Sequence, residues 1–287
     1  MSIKVFVPSH ITGFFSIINN ANPLMKGSRG AGIVLDKGVI TTVDFNDDSD
    51  ETLIKINGKI DEYNAVLTFK VLDLLKKSFY LDSSLIINHE IELPIGCGFG
   101  TSAASALSTT LSVSKLLNLP LSFNDMASIA HQAEVELGTG LGDLIAEANG
   151  GIVLRLKEGP PGYGEIKKIT NDSLYVISKV VGDIDTSSVI KDPKYINKIN
   201  SAGEGILNLL NKDFTVENFM ELSYEFARKT SLISDEVQEI INVLNSETIG
   251  ASMAMMGNTA FAISNSPDTS LKDVIITKIN NTGPKYL

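Results

Sequence analysis

At 287 residues, with 43% hydrophobic and 20% charged residues, the chain fits one large or two modest folded domains and is not a disordered polymer. A formal net charge of −10 without any Lys/Arg cluster argues against nucleic acid as a principal partner, so an anionic substrate would have to be met by a few local cations. The single cysteine, Cys97, rules out an internal disulfide, and the strand-like start and lack of a long apolar run make a cytoplasmic protein without a membrane partner the expectation.

The opening segment Ile3 to Val7 reads as a strand. It is followed by Pro8-Ser9-His10-Ile11-Thr12-Gly13-Phe14-Phe15, where Pro and Gly bracket an expected bend carrying two hydroxyls and an imidazole. Asn22 to Gly32 reads as a second glycine-rich turn, with Ser28 and Arg29 inside it, ahead of a strand from Gly32 to Leu35. The two turns either simply join antiparallel strands or form the mouth of a substrate site, since hydroxyls and an arginine beside glycines leave room for a ligand. Val39 to Val43 and Thr52 to Ile56 are short strands around an acidic, solvated loop, and Asn57-Gly58 signals a hairpin. Asp61 to Lys77 then reads as a helix, with Val66, Phe69 and Leu72 at helical spacing for a buried stripe.

Leu85 to Leu93 is a further strand, and it breaks into Pro94-Ile95-Gly96-Cys97-Gly98-Phe99-Gly100-Thr101-Ser102-Ala103-Ala104 before a helix that runs to Leu117. The glycines allow close backbone approach, and the free N–H groups and dipole of the helix start suit a phosphate. Thr101 and Ser102 place hydroxyls there, where one can cap the helix or ligate magnesium. No Gly-Lys-Ser/Thr triplet follows, which excludes a Walker loop. Gly98 to Ala103 satisfies the looser G-x-G-x-x-A dinucleotide pattern, yet the next element is a helix and not the second parallel strand that such a fold requires. Cys97 reads as a small buried loop residue, because no base lies near it in sequence.

Ser122-Phe123-Asn124-Asp125 fits a capping box and starts a helix through about Glu136, stopped by Gly138. Ala127, His131 and Glu134 share one face of it. Gly138-Thr139-Gly140-Leu141-Gly142-Asp143 then delivers a carboxylate to the start of a short helix, where Asp143 either caps Leu144 to Ala148 or serves chemistry, or does both. Ile152 to Leu156 is an alternating strand with Arg155 at its middle, either a solvent-face residue or a bidentate clamp for a carboxylate. Glu158 to Gly164, with two prolines among glycines, is the best linker and divides the chain into 1–158 and 159–287. Beyond it come a strand at Leu174 to Val181 and amphipathic helices at Pro193 to Leu210, Val216 to Arg228 and Ser234 to Leu244. A closing β segment from Thr248 to Ile263 follows, whose methionines read as core filling.

The loop at Pro94, Gly98, Phe99, Gly100, Thr101, Ser102, Ala103 and Ala104 resembles the P-x-x-x-G-L-G-S-S-A-A motif of the GHMP kinase superfamily, with Phe for Leu and Thr for the first Ser. Taken with Pro8 to Phe15, Gly27 to Gly32, Glu136 to Asp143, Gly159 to Gly164 and the Gly257-Asn258 turn, the whole chain resembles the archaeal-type pantoate kinase family. The resemblance implies an α+β GHMP kinase fold, with an N-terminal ribosomal-protein-S5-domain-2-like domain, a C-terminal ferredoxin-like domain and the active site between them. It implies transfer of phosphate from ATP to the primary hydroxyl of pantoate, giving 4-phosphopantoate on the route to coenzyme A. It also implies ATP held by Pro94, Gly96, Gly98, Phe99, Gly100, Thr101, Ser102 and Ala103, and Mg2+ held by Ser102 and Glu134, with Glu136 a competitor for Glu134. By the same resemblance Asp143 acts on the acceptor hydroxyl, Ser28, His131 and Arg155 bind pantoate with Arg29 a weaker candidate, and family habit suggests a homodimer. The glycine-poor turn at Gly257 packs against the phosphate loop in this reading. The alternatives are another GHMP kinase, acting on homoserine, shikimate or mevalonate, and a non-catalytic binding protein on the same fold.

Overall fold

The computed structural model describes residues 2–183 and 193–287. Its larger sheet is built on two long neighbours, β1 (Ile3–Ile18) and β2 (Gly27–Phe45), which pair antiparallel along most of their length. On one side of β2 lie β5 (Leu85–Ile91) and then β3 (Leu53–Ile56) and β4 (Lys59–Ile60). At its other end β2 pairs with β6 (Ile152–Lys157), which carries β7 (Glu165–Ile169), and β12 (Lys285–Tyr286) closes the edge beyond β1. The hairpin predicted at Asn57-Gly58 joins β3 to β4, with both turn residues at positive φ as a two-residue hairpin requires. The smaller sheet is antiparallel, in the order β11 (Ile275–Lys278), β8 (Tyr175–Gly182), β10 (Asn258–Ser264), β9 (Gly250–Met253).

Helices α1 (Val66–Ser78), α2 (Thr101–Leu116) and α3 (Phe123–Leu137), with the short α4 (Asp143–Glu147), pack with the first half of β1, β2 and β5 around one apolar core. Helices α5 (Pro193–Lys212), α6 (Val216–Thr230) and α7 (Asp235–Glu247) share a second core with the smaller sheet. The second core takes in Ile11, Phe14, Phe15 and Ile17 of β1 and Leu93, Cys97 and Phe99 of the loop before α2. One strand therefore belongs to two cores, and the loop is wedged between them. Among the described residues no helix is long and apolar enough to cross a membrane.

Four expectations are corrected by the structure. Residues 8–15 do not bend out of the sheet; β1 runs through them and shifts register at Pro8/His10 and at Thr12/Phe14. These bulges absorb the proline, and Gly13 serves packing, because a Cβ there would strike the Ser223 hydroxyl of α6. The second turn is confined to the segment before Gly27, where β2 begins, with a single 3-10 turn at Pro23–Met25 capped by Asn22. Helix α1 starts at Val66 and not at Asp61, since the Asp61 carboxylate accepts from both the backbone and the side-chain amide of Asn64 and fixes a local turn there. The buried face of this helix is Leu67, Val71, Leu72, Leu74 and Leu75, while Val66 and Phe69 of the expected stripe are exposed. The turn at 159–164 stays within the larger sheet, because β7 after it pairs back onto β6. Sheet membership therefore favours a domain division after β7, near 170–174, and we propose it there.

Candidate active site

The phosphate loop owes its shape to three left-handed glycines: Gly96, Gly98 and Gly100 have φ of 76°, 87° and 64°. Gly100 is the cap residue of α2 and supplies no side-chain bond to the helix start, so the first N–H groups of a buried 16-residue helix are left to whatever occupies the loop. Gly96, Gly98, Phe99, Gly100, Thr101, Ser102 and Ala103 all line one cleft. Pro94 is exposed and does not line it. The cysteine of the loop is inert packing: burial pushes the Cys97 thiol up, the nearby Asp183 carboxylate adds to this, and the thiol donates to the carbonyl of Ile95.

The β9–β10 turn holds the loop in place. Thr259 Oγ1 donates to the Cys97 carbonyl at 2.8 Å, and a Cβ on Gly257 would strike that same carbonyl. The predicted packing of the Gly257 turn against the loop is therefore present. Its neighbours Met255 and Met256 enter the cleft wall, so at least these two methionines do more than fill core.

Helix α3 brings Glu134 to the cleft. The capping box at Ser122 and Asp125 starts the helix and left-handed Gly138 ends it, which aims Glu134 inward one turn before the loop that leads to Asp143. Glu134 is 1% exposed and its Oε1 has no partner. Burial first, and the Asp143 charge second, push its carboxyl well above the ordinary value. Glu136 points elsewhere, since it is paired with Lys70 at 2.6 Å and accepts from Gln132. Between the two glutamates, only Glu134 faces the loop.

Asp143 is the first residue of α4, but its side chain turns to β1. His10 Nδ1 donates to Asp143 Oδ1 at 2.7 Å and Thr12 Oγ1 donates to the same oxygen at 3.0 Å, which leaves Oδ2 to the cleft. Burial raises this carboxyl. The hydrogen bond from His10, the Arg155 guanidinium and the Thr12 hydroxyl outweigh it, so the group sits below its ordinary value and is ionised. Burial pushes the His10 imidazole down, and its Nε2 is buried against Gly32 without a partner, so the ring is neutral with its proton on Nδ1. His10 and Thr12 were visible in the sequence as an imidazole and a hydroxyl near Gly13. Their partner, more than a hundred residues away, was not.

Arg155 is 1% exposed, and neither its Nε nor its Nη1 has a partner. It faces Ser28 across Gly142: a Cβ on that glycine would lie 3.0 Å from Arg155 Nε and would collide with the Ser28 hydroxyl. Both residues line the cleft. Arg29 and His131 do not. The Arg29 Nε donates to Glu158 Oε2 at 2.8 Å outside it, and His131 Nε2 donates to the Lys26 carbonyl at 2.9 Å, pinning the β1–β2 connection onto α3. Glu147, unmarked in the sequence reading, is fully buried with both oxygens unpartnered, and Oε1 lies 2.6 Å from where a Cβ of Gly100 would be.

The donor set suits a magnesium ion that arrives with phosphates. Glu134 offers an unpartnered buried carboxylate oxygen and Ser102 a hydroxyl on the same cleft. Among the described residues no cluster of three or more acidic, histidine or cysteine side chains forms a self-sufficient metal cage. Two protein oxygens, completed by phosphate and water, is how this ion is commonly held.

Residues 66–151 match the model of the GHMP kinases N terminal domain. The chain is 41% identical over 260 residues to the pantoate kinase of Methanocaldococcus jannaschii, covering 91% of this chain and 92% of that one. It is 33% identical to the pantoate kinase of Methanospirillum hungatei, covering 99% and 96%. A solved structure described as a phosphotransferase related to the CoA biosynthesis pathway superposes with a TM-score of 0.87 at 30% identity, covering 100% of this chain and 99% of that one.

Proposed function

The chain belongs to the pantoate kinase family of the GHMP kinases, and from that premise we propose that its cleft transfers the γ-phosphoryl group of ATP to the primary hydroxyl of pantoate. The observation that carries the reading is the convergence on one cleft of a phosphate loop, an ionised aspartate with a free oxygen and a buried guanidinium whose Nε and Nη1 have no hydrogen-bond partner. A hydroxy acid has the matching groups. Its carboxylate neutralises Arg155, with Ser28 beside it, and its hydroxyl donates to Asp143 Oδ2.

ATP is assigned to the loop from Gly96 to Ala103, with its phosphates over the start of α2. A smaller recess beyond Thr101 and Ser102, walled by Ile56, Leu67, Ile91 and Ile95 with Asn64 at its rim, takes the nucleoside in this reading. Magnesium, held through Ser102 and Glu134, would neutralise charge on the transferring group. The pantoate oxygen attacks the γ-phosphorus, the bond from phosphorus to the β–γ bridging oxygen breaks, and ADP leaves with that electron pair. The hydroxyl proton passes to Asp143 Oδ2 or onward to water. An aspartate held below its ordinary value is a weak base, which fits a loose transition state that needs alignment more than early deprotonation. His10 and Thr12 hold the carboxylate in that alignment.

The test is a coupled assay of ADP release with pantoate and ATP, with and without magnesium, against a panel of homoserine, shikimate and mevalonate. Faster turnover of pantoate than of any other acceptor, dependent on the metal, is the expected result. Preference for another acceptor would move the chain to a different branch of the superfamily.

A further inference from the structure

The register of three strands places Phe15, Gly30 and Arg155 on one rung, Phe15 of β1 opposite Gly30 of β2 and Gly30 opposite Arg155 of β6. Phe15 and Arg155 both line the cleft, so their side chains rise from the same face of the sheet, about 10 Å apart at the backbone by ordinary strand spacing. Between them Gly30, at φ 148°, presents no side chain, and a Cβ there would run into the Phe14 carbonyl. The bulge at Thr12/Phe14 is what puts both Thr12 and Phe15 on this face, although they are three residues apart. The result is a slot with a cation at one end and an aromatic ring at the other.

The apolar end is extended by the β9–β10 turn. Met255 donates its backbone N–H to the Thr12 carbonyl at 2.8 Å, and Gly257 donates to Ala254 at 3.1 Å, which together hold Met256 at φ 69°, a left-handed conformation uncommon for a side-chain-bearing residue. That conformation is kept where it sends thioether side chains into the cleft. Phe15 is in turn backed by Phe226 of α6, with ring centroids 5.9 Å apart. No step of phosphoryl transfer uses these three side chains.

We propose that Phe15, Met255 and Met256 form the specificity wall of the site and select an acceptor whose carbon between the carboxylate end and the reacting hydroxyl is quaternary and carries apolar branches. The proposal rests on the pantoate reading above and deepens it. With the carboxylate at Arg155 and the hydroxyl at Asp143, the carbon bearing the two methyl groups lies between them. The three side chains supply the apolar surface that those methyls require.

The experiment compares kcat/KM for pantoate with that for 2,4-dihydroxybutyrate, which has the same carboxylate and hydroxyls but no methyl branches. Wild type should favour pantoate by about 10–100-fold, the scale of one or two methyl groups in an apolar pocket. Met256→Gly removes the side chain at a backbone conformation glycine prefers, so the turn is retained. It should cut that ratio about fivefold or more through the KM for pantoate, with the KM for ATP unchanged. Phe15→Leu should lower the ratio too, while Met256→Leu should preserve it. Pantoate turnover with no preference over the unbranched acid, or a ratio untouched by Met256→Gly and Phe15→Leu, would overturn the wall and leave the pantoate reading standing. A wild-type protein that transfers phosphate to neither acid would overturn the reading itself.

Discussion

Two buried histidines sit in two differently built parts of the same sheet. His89 on β5 lies in the layer between β2, α1 and α2, where Nδ1 meets Thr41 at 2.7 Å and Nε2 meets Thr68 at 2.9 Å. Thr41 in turn meets Ser108 at 2.5 Å, and burial holds the imidazole near a pKa of about 4. His10 on β1 has one nitrogen on Asp143 and the other on nothing, and around it Glu134, Glu147 and Arg155 also carry buried polar atoms without partners. Burial alone does not distinguish the two places. Satisfaction does: a closed network stabilises the fold, whereas a buried group with no partner is kept at a cost and marks where a ligand completes the structure.

Changes in the open region should therefore act on function first. Asp143→Asn keeps the shape but loses the charge, and kcat should fall about 10²–10⁴-fold with ATP affinity retained, read by steady-state kinetics and by nucleotide titration. Near-normal turnover would remove Asp143 from the reaction. Arg155→Ala should weaken pantoate binding by about 10–100-fold with a smaller effect on kcat. The sharper form is Arg155→Met, in which a buried guanidinium with unpartnered Nε and Nη1 is replaced by an apolar chain of similar length. The ligand-free protein should then be more stable by about 1–4 kcal/mol in urea unfolding while pantoate binding is lost. If Arg155→Met were less stable than wild type, the guanidinium would be serving the fold after all.

The parts of this design that are written locally could be read from the sequence. The phosphate loop with its helix, the capping box at Ser122, the stop at Gly138 and the hairpin at Asn57-Gly58 are each fixed by a few adjacent residues, and each is where the sequence puts it. The bulged course of β1 was not legible, because Pro8 and Gly13 signal a turn unless one knows that α6 presses on Gly13. The partners of Asp143, the inward aim of Glu147 and the entry of Met255 and Met256 into the cleft depend on elements distant in sequence, which no spacing encodes. Arg29, in a glycine-rich turn, and Arg155, at the middle of a strand, both read in the sequence as candidate clamps for the substrate. Only the structure shows that Glu158 pairs with the first, while the second feels the Asp143 charge but makes no ion pair among the described residues.

Glu147 tests whether the cost in the open region is measurable. Its carboxyl, ordinarily near 4.5, is raised well above that in the folded chain, first by burial and then by the Asp143 and Glu134 charges. A group with a raised folded value binds its proton more tightly when folded, so its contribution is full below about 4.5 and is lost as pH rises through the folded value. Glu147→Gln cannot ionise. Its melting temperature relative to wild type should therefore climb as pH rises above about 4.5 in ligand-free protein, and a flat difference would mean that Glu147 is not held neutral by the fold.

The closed region gives the smallest and most discriminating effect. Thr41→Val keeps the shape of a β-branched side chain in β2 but strips His89 Nδ1 of its partner, while Ser108 still has the carbonyl of Ser105. Leaving one buried nitrogen unsatisfied should lower stability by about 1–3 kcal/mol, seen as an earlier urea midpoint with an unchanged slope. Thr41 lines neither the cleft nor the recess, whereas His89 and Thr68 line the recess, so kcat and the KM for pantoate should stay within about twofold of wild type wherever the protein remains folded, with any change confined to the KM for ATP. The variant thus has the opposite profile to Arg155→Met, less stable and fully active against more stable and unable to bind. A Thr41→Val protein that folded well but had lost turnover would show that the His89 network reaches the chemistry, and partner satisfaction would then no longer separate the scaffold from the site.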